Sequence, residues 1–60
     1  MDYEIEVWTM FVDVDFPTTH FAECSCGKFS IDSENKTLIE NAVWVHRTNH
    51  QERGDSVEIV

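Results

Sequence analysis

The chain has 60 residues, with 12 Asp and Glu against four Lys and Arg, a formal net charge of -8 and 42% hydrophobic residues. That hydrophobic share excludes a disordered chain, and no apolar run reaches the roughly 18 residues of a membrane-spanning helix. A chain this short buries only about 60% of its unfolded surface, so one domain of this size needs a disulfide, a metal or a partner chain.

Residues 1–26 carry six acids and no Lys or Arg, and all four basic residues lie between Lys28 and Arg53. Nucleic-acid binding draws its affinity from cations set against phosphates, so this pattern argues against DNA or RNA as a direct ligand. It suits a partner protein with a basic surface, or serves solubility alone. The N-terminus has no basic stretch followed by an apolar block, so the expectation is a cytoplasmic protein with reduced thiols.

The first element, 3–16 ("YEIEVWTMFVDVDF"), reads as a strand rich in β-branched and aromatic residues. Tyr3, Ile5 and Val7 are apolar at odd positions, whereas Val12, Val14 and Phe16 are apolar at even ones. A β-bulge near Thr9–Met10 would absorb this slip. A middle buried on both faces, or two short strands, would also do so. Trp8, inside the apolar run, is expected in the core. Pro17 ends the segment, and "PTT" is turn material.

"HFAEC" then reads as a strand, "CSCG" as a tight turn suited by Gly27, and "KFSI" as a return strand. "DSENK" opens a helix, with Asp32 or Ser33 as cap and Glu34 in the first turn, which runs to about Gln51 and stops near Gly54. At about 100° per residue, Leu38, Ile39, Ala42, Val43 and His46 share one face with His50 beside them, and Trp44 lies opposite. The tail "DSVEIV" alternates and forms a short strand or stays frayed. The fold class expected is α+β: an antiparallel sheet, made of the N-terminal strand plus a hairpin, packed on one C-terminal helix. It divides into an acidic strand region (1–16), a ββα core (20–51) and a tail (52–60) in a single domain.

Cys24 and Cys26 are the only cysteines. A disulfide between them would close a tiny, strained ring and stabilise little. Two unrelated buried thiols are a second reading. The third is a pair of thiolate ligands, and the histidines favour it. His46 and His50 stand at i, i+4 on the apolar helix face, where imidazoles are costly unless something uses their nitrogens. Cys24, Cys26, His46 and His50 then converge as a closed, structural Zn2+ site. His20, four residues before Cys24, is a spare ligand or a hydrogen-bonding neighbour of the site.

The segment "CSCG…HRTNH", in a strand–turn–strand–helix order, resembles the two-Cys, two-His zinc finger. It is similar to a variant with a C-x-C knuckle found in small, mostly uncharacterised proteins of actinobacteria and their phages. The resemblance covers about His20 to His50 and implies a zinc-ligand role for Cys24, Cys26, His46 and His50. DNA-reading fingers have two to four residues between the cysteines and about twelve before the first histidine. Here those gaps are one and nineteen, and the helix positions that would read bases are not basic.

"HRTNH" lacks the general-base Glu of a zinc peptidase, and no nucleophile motif or phosphate loop is visible, so the chain is not expected to be an enzyme. A binding role remains. Trp44 is the first candidate contact, unless the N-terminal strand or the tail covers it. Glu4, Glu6, Asp13 and Asp15 offer charge to a basic partner, and a strand edge could pair with a partner strand or a second copy. The leading expectation is therefore a zinc-stabilised protein–protein interaction module. The resemblance suggests a phage-encoded modulator or inhibitor of a host protein, with a DNA mimic as one version. A nucleic-acid-binding finger and a self-associating structural protein are the alternatives.

Overall fold

Alternation along the first strand decides which way the sheet faces. A computed structural model, describing residues 1–11 and 13–60, places strands β1 (Asp2–Met10), β2 (Thr19–Cys24) and β3 (Ser30–Ser33), helix α1 (Lys36–Glu52) and strand β4 (Ser56–Ile59) in one sheet-on-helix layer pair. The sheet order is β3-β2-β1-β4. The N-terminal strand and hairpin pair antiparallel, as expected for an α+β domain of this kind. The tail completes the sheet as β4, which runs parallel to β1 and makes the sheet mixed. A parallel neighbour requires a crossover, and α1 supplies it between β3 and β4.

Odd residues of β1 face the helix. Ile5 is fully buried with Ala22, Cys24, Ile39, Val43 and Val57, and Tyr3, Cys26, Phe29 and Ile31 pack around them. Even residues face the open side of the sheet. Trp8 follows that rule: it stacks on Phe21 across β2, ring centroids 5.4 Å apart, and stays 39% exposed. Its expected place in the core is thus corrected. A single helix covers only one face, so an even-phase residue of β1 has nothing to bury against.

The expected bulge is absent. The β1–β2 register runs without a skip from Ile5↔Cys24 to Met10↔Thr19. The change of phase falls instead where the strand ends. The Phe16 N–H donates to the Asp13 carbonyl (3.1 Å), closing a turn, and Val14 and Phe16 are exposed. Asp13, Asp15 and Pro17 are turn formers, and they override the apolar alternation. Val12 lies outside the described residues. The molecule measures 44 × 16 × 16 Å.

The helix starts later than Asp32 or Ser33 would place it. Both belong to β3, Glu34 precedes the helix, and the cap is Asn35, whose Oδ1 accepts from the N–H groups of Thr37 (3.0 Å) and Leu38 (3.3 Å). Ser33 instead accepts from the Asn35 N–H (3.0 Å) through its Oγ. At the other end Gly54, φ +86°, turns the chain towards β4. Ile39, Val43 and His50 are the buried helix residues, Ala42 and His46 are half-buried, and Leu38 at the edge of the apolar face is 46% exposed.

Replacing Asn35 by Ala should lower stability by about 1 kcal/mol, while Asp32→Ala, on the exposed sheet face, should stay within about 0.5 kcal/mol. Urea unfolding of the two variants checks the cap; a larger loss for Asp32→Ala would reassign it.

Candidate metal centre

The hairpin turn and the last two turns of the helix meet at one end of the sheet. The Gly27 N–H donates to the Cys24 carbonyl (3.1 Å) and the Cys24 N–H to the Phe29 carbonyl (3.1 Å). This tight turn needs positive φ at Gly27 (+77°), which glycine adopts without a Cβ clash. It presents Cys24 and Cys26 to the helix. On α1 the i, i+4 spacing points His46 and His50 back at the turn.

The donor atoms converge. Cys24 Sγ lies 3.8 Å from His50 Nε2, Cys26 Sγ 3.4 Å from His46 Nε2, and the two Nε2 atoms are 3.0 Å apart. All four lie within 4.8 Å of one another. A tetrahedral zinc ion, with bonds of about 2.3 Å to sulfur and about 2.0–2.1 Å to nitrogen, sets two nitrogens about 3.3 Å apart and sulfur and nitrogen about 3.6 Å apart. These donors therefore sit near the corners of such a tetrahedron, and the four residues could hold a metal ion. The two cysteines are free thiols, so the site does not compete with a disulfide. Cys24 and His50 are buried, and Cys26 and His46 are half-buried.

Neighbouring groups orient the ligands. The Lys28 N–H donates to Cys26 Sγ (3.4 Å). His50 Nδ1 lies 3.0 Å from Asp55 Oδ2, a carboxylate that also sits 3.4 Å from the Met1 amino group. A proton shared with Asp55 at Nδ1 leaves the Nε2 lone pair aimed at the other donors. Phe29 stacks on the His46 ring (4.5 Å) and Tyr3 packs on the His50 ring (4.6 Å).

The same contacts shift the titration of the donors. Burial pushes the Cys24 thiol up, and the Cys26 thiol adds to it against the backbone N–H groups of Cys26 and Ser25. Burial also acts upward on Cys26, but the Lys28 N–H, the His50 imidazole and Cys24 outweigh it, and the thiol falls below its ordinary value. Burial lowers His46, helped by the charges of His50 and Arg53. The hydrogen bond to Asp55 raises His50, with Cys26 adding to it against burial, and holds Asp55 below the usual carboxylate value. The two thiols are thus shifted in opposite directions, Cys26 towards thiolate and Cys24 away from it.

His20 is not brought to this group. It stands on β2 with Nδ1 3.1 Å from Thr9 Oγ1. Four residues of extended chain span about 13 Å, which removes it from the Cys24 sulfur. Asp55 is the residue that sequence reasoning missed. Its signal was an acid just past the helix-stopping Gly54, five residues from His50.

The candidate contact residues separate. Trp44 is 63% exposed, with the Arg47 guanidinium 5.9 Å from its ring, and borders Val7 of β1 and Ile59 of the tail across an open groove. Glu4 and Glu6 lie on the open sheet face, directly beside Glu58 and Glu23 respectively. Asp13 and Asp15 lie apart from them, in the turn beyond β1. Among the described residues, no helix is long and apolar enough to cross a membrane. Comparison with known protein families, curated proteins and solved structures gave no match to the chain.

Cys26→Ser and His46→Ala should each abolish the tetrahedral charge-transfer and d–d absorption of the Co2+-loaded protein, whereas His20→Ala should leave it intact. Asp55→Asn should keep the spectrum but weaken metal affinity by about 10–100-fold in a chelator competition. Equal effects of His20→Ala and His46→Ala would overturn this ligand set.

Proposed function

We propose that the chain is a small zinc protein in which Cys24, Cys26, His46 and His50 bind one structural Zn2+, and that the domain serves as an interaction module for a protein with a basic surface. The observation that carries the first part is the near-tetrahedral convergence of two sulfur and two nitrogen donors on separate elements. Thiolate with imidazole suits zinc over hard cations such as Mg2+ or Ca2+. Four protein ligands leave no position for a reacting water, so the ion's role here is to hold the hairpin to the helix rather than to catalyse. Such an ion can supply ~10–16 kcal/mol, comparable to the whole stability of a small domain.

The second part rests on the sheet's open face. Asp2, Glu4, Glu6, Glu23 and Glu58 project there by alternation and register, with Glu6 beside Glu23 and Glu4 beside Glu58. The basic residues lie elsewhere: Lys28 in the turn, and Lys36, Arg47 and Arg53 on or next to the helix. Like charges side by side on neighbouring strands are unfavourable, and a cationic partner surface would relieve them. The resemblance to actinophage proteins suits a modulator that covers a basic patch of a host protein. The scattered helix cations are too few for a nucleic-acid footprint.

Removing the metal with a chelator should unfold the domain cooperatively, and readdition of zinc should restore it; an unchanged near-UV circular dichroism signal after zinc removal would contradict the structural role. In fluorescence anisotropy at physiological salt, neither duplex DNA nor RNA should bind. Measurable affinity there would put the nucleic-acid reading first.

A further inference from the structure

Access to the two thiols is unequal. Cys26 is half-buried and borders a recess of about 120 Å3 that it shares with His46 and His50. About 10–15 Å3 of such space takes one water, so a two-oxygen molecule has room. Lys28 and Arg53 also border this recess, which puts two of the chain's four cations at its walls. Asp55, the one carboxylate there, is engaged with His50 at 3.0 Å. Cys24 is 1% exposed, and the separate recess that it borders is lined by Glu4, Glu6 and Glu23. A small neutral molecule therefore reaches Cys26 between cations, while Cys24 stays closed off and has carboxylates behind it.

This asymmetry suits oxidation. Thiols that react selectively with oxidants are partly exposed and set in electropositive surroundings, and a thiolate is the nucleophile whether or not it also serves as a metal ligand. A resolving thiol stands beside this one. Cys24 and Cys26 are the only cysteines, two positions apart on one turn, and their sulfurs lie within 4.8 Å of each other.

We propose that Cys26 is the peroxide-reactive thiol of an oxidative release switch built into the donor set, with Cys24 as its resolving partner. The switch rests on the zinc reading above and adds a regulation of that site. The Cys26 thiolate attacks one oxygen of hydrogen peroxide. An S–O bond forms, the O–O bond breaks, and hydroxide leaves between Lys28 and Arg53. Cys26 is then a sulfenic acid. The Cys24 thiolate attacks that sulfur, an S–S bond forms, the S–O bond breaks, and a second hydroxide leaves. Two electrons have passed from the sulfur pair to the peroxide, and both hydroxides take protons from solvent. The metal has then lost both sulfur donors, and with them the tie between hairpin and helix. The ring closed by this bridge is small and strained, which makes it easily reduced, so a thiol reductant resets the site.

The test uses the zinc-loaded protein, its metal content measured first, with hydrogen peroxide as the probe. Zinc release to a colorimetric chelator should advance in step with the loss of two hydrogens in the intact mass. A dithiol reductant with added zinc should restore the near-UV circular dichroism signal. With dimedone present during oxidation, the trapped sulfenic acid should map to Cys26 over Cys24 by at least about tenfold. Lys28→Gln with Arg53→Gln, at exposed positions outside the donor set, should slow zinc release several-fold and leave the Co2+ spectrum unchanged. Equal trapping on both cysteines, addition of oxygens without a bridge, disulfide-linked dimers in its place, or an unchanged rate in the double variant would each overturn the switch. A chain that holds no zinc at the outset defeats the zinc reading itself, whereas a loaded chain that keeps its zinc in peroxide defeats only this inference.

Discussion

The contact on which this structure depends is that between the Nε2 atoms of His46 and His50, 3.0 Å apart with two sulfurs beside them. Two imidazole nitrogens can face each other only if one donates a proton or if both direct lone pairs at a cation. Asp55 biases the choice by drawing the His50 proton to Nδ1. Each ligand comes from a different local constraint: Gly27 sets the turn that carries the cysteines, and the helical repeat sets the histidine pair. The strand pairing of β1 with β2, and of β1 with β4, brings the turn and the Asp55 corner to the same end. The rest of the fold can be read as the frame for this one meeting.

Burial around it is thin. The buried apolar residues among those described are Ile5, Ala22, Cys24, Ile39, Val43 and Val57, and one of the six is itself a donor. A core of this size supplies only a few kcal/mol beyond the entropy of ordering the chain. It also has to offset adjacent carboxylates on the open face, where pairs such as Glu6 and Glu23 each cost about 0.2–1 kcal/mol. On the zinc reading, the ion offsets both shortfalls at the one point where hairpin and helix cross.

The donor set was legible in the sequence because it depends on rare residue types at local spacings. C-x-C before a glycine and H-x-x-x-H on an apolar helix face need no long-range information. The core phase of β1 was legible for the same reason, in Tyr3, Ile5 and Val7. What escaped was decided by tertiary coverage. Trp8 looks like core by composition, yet the sheet has one helix and one covered face. The shift of apolar phase after Met10 looked like a bulge, but turn residues simply ended the strand there. Asn35 won the cap over Asp32 and Ser33 because β3 had already claimed those two for its ladder with β2. Asp55 acquired its role only when β4 returned parallel to β1, a pairing that no local pattern announces.

The same asymmetry explains why the two faces of the molecule carry different chemistry. A sheet with one helix must place every ligand and every buried apolar side chain on the covered face, so its even-phase positions on β1 are free of packing constraints. Solubility alone would be met by mixed charges scattered over that face. Instead Asp2, Glu4, Glu6, Glu23 and Glu58 are all of one sign, and the cations sit on or next to the helix and in the cysteine-bearing turn. Paired placement of like charges on adjacent strands is a standing cost, and mixed-sign alternatives at these positions would remove it without touching the core. On the zinc reading, a stapled end lets the fold tolerate that cost. The carboxylates lie along the same end of β1 as the donor cluster, where Glu4 pairs with Ser25 of the cysteine turn and with Glu58 of β4.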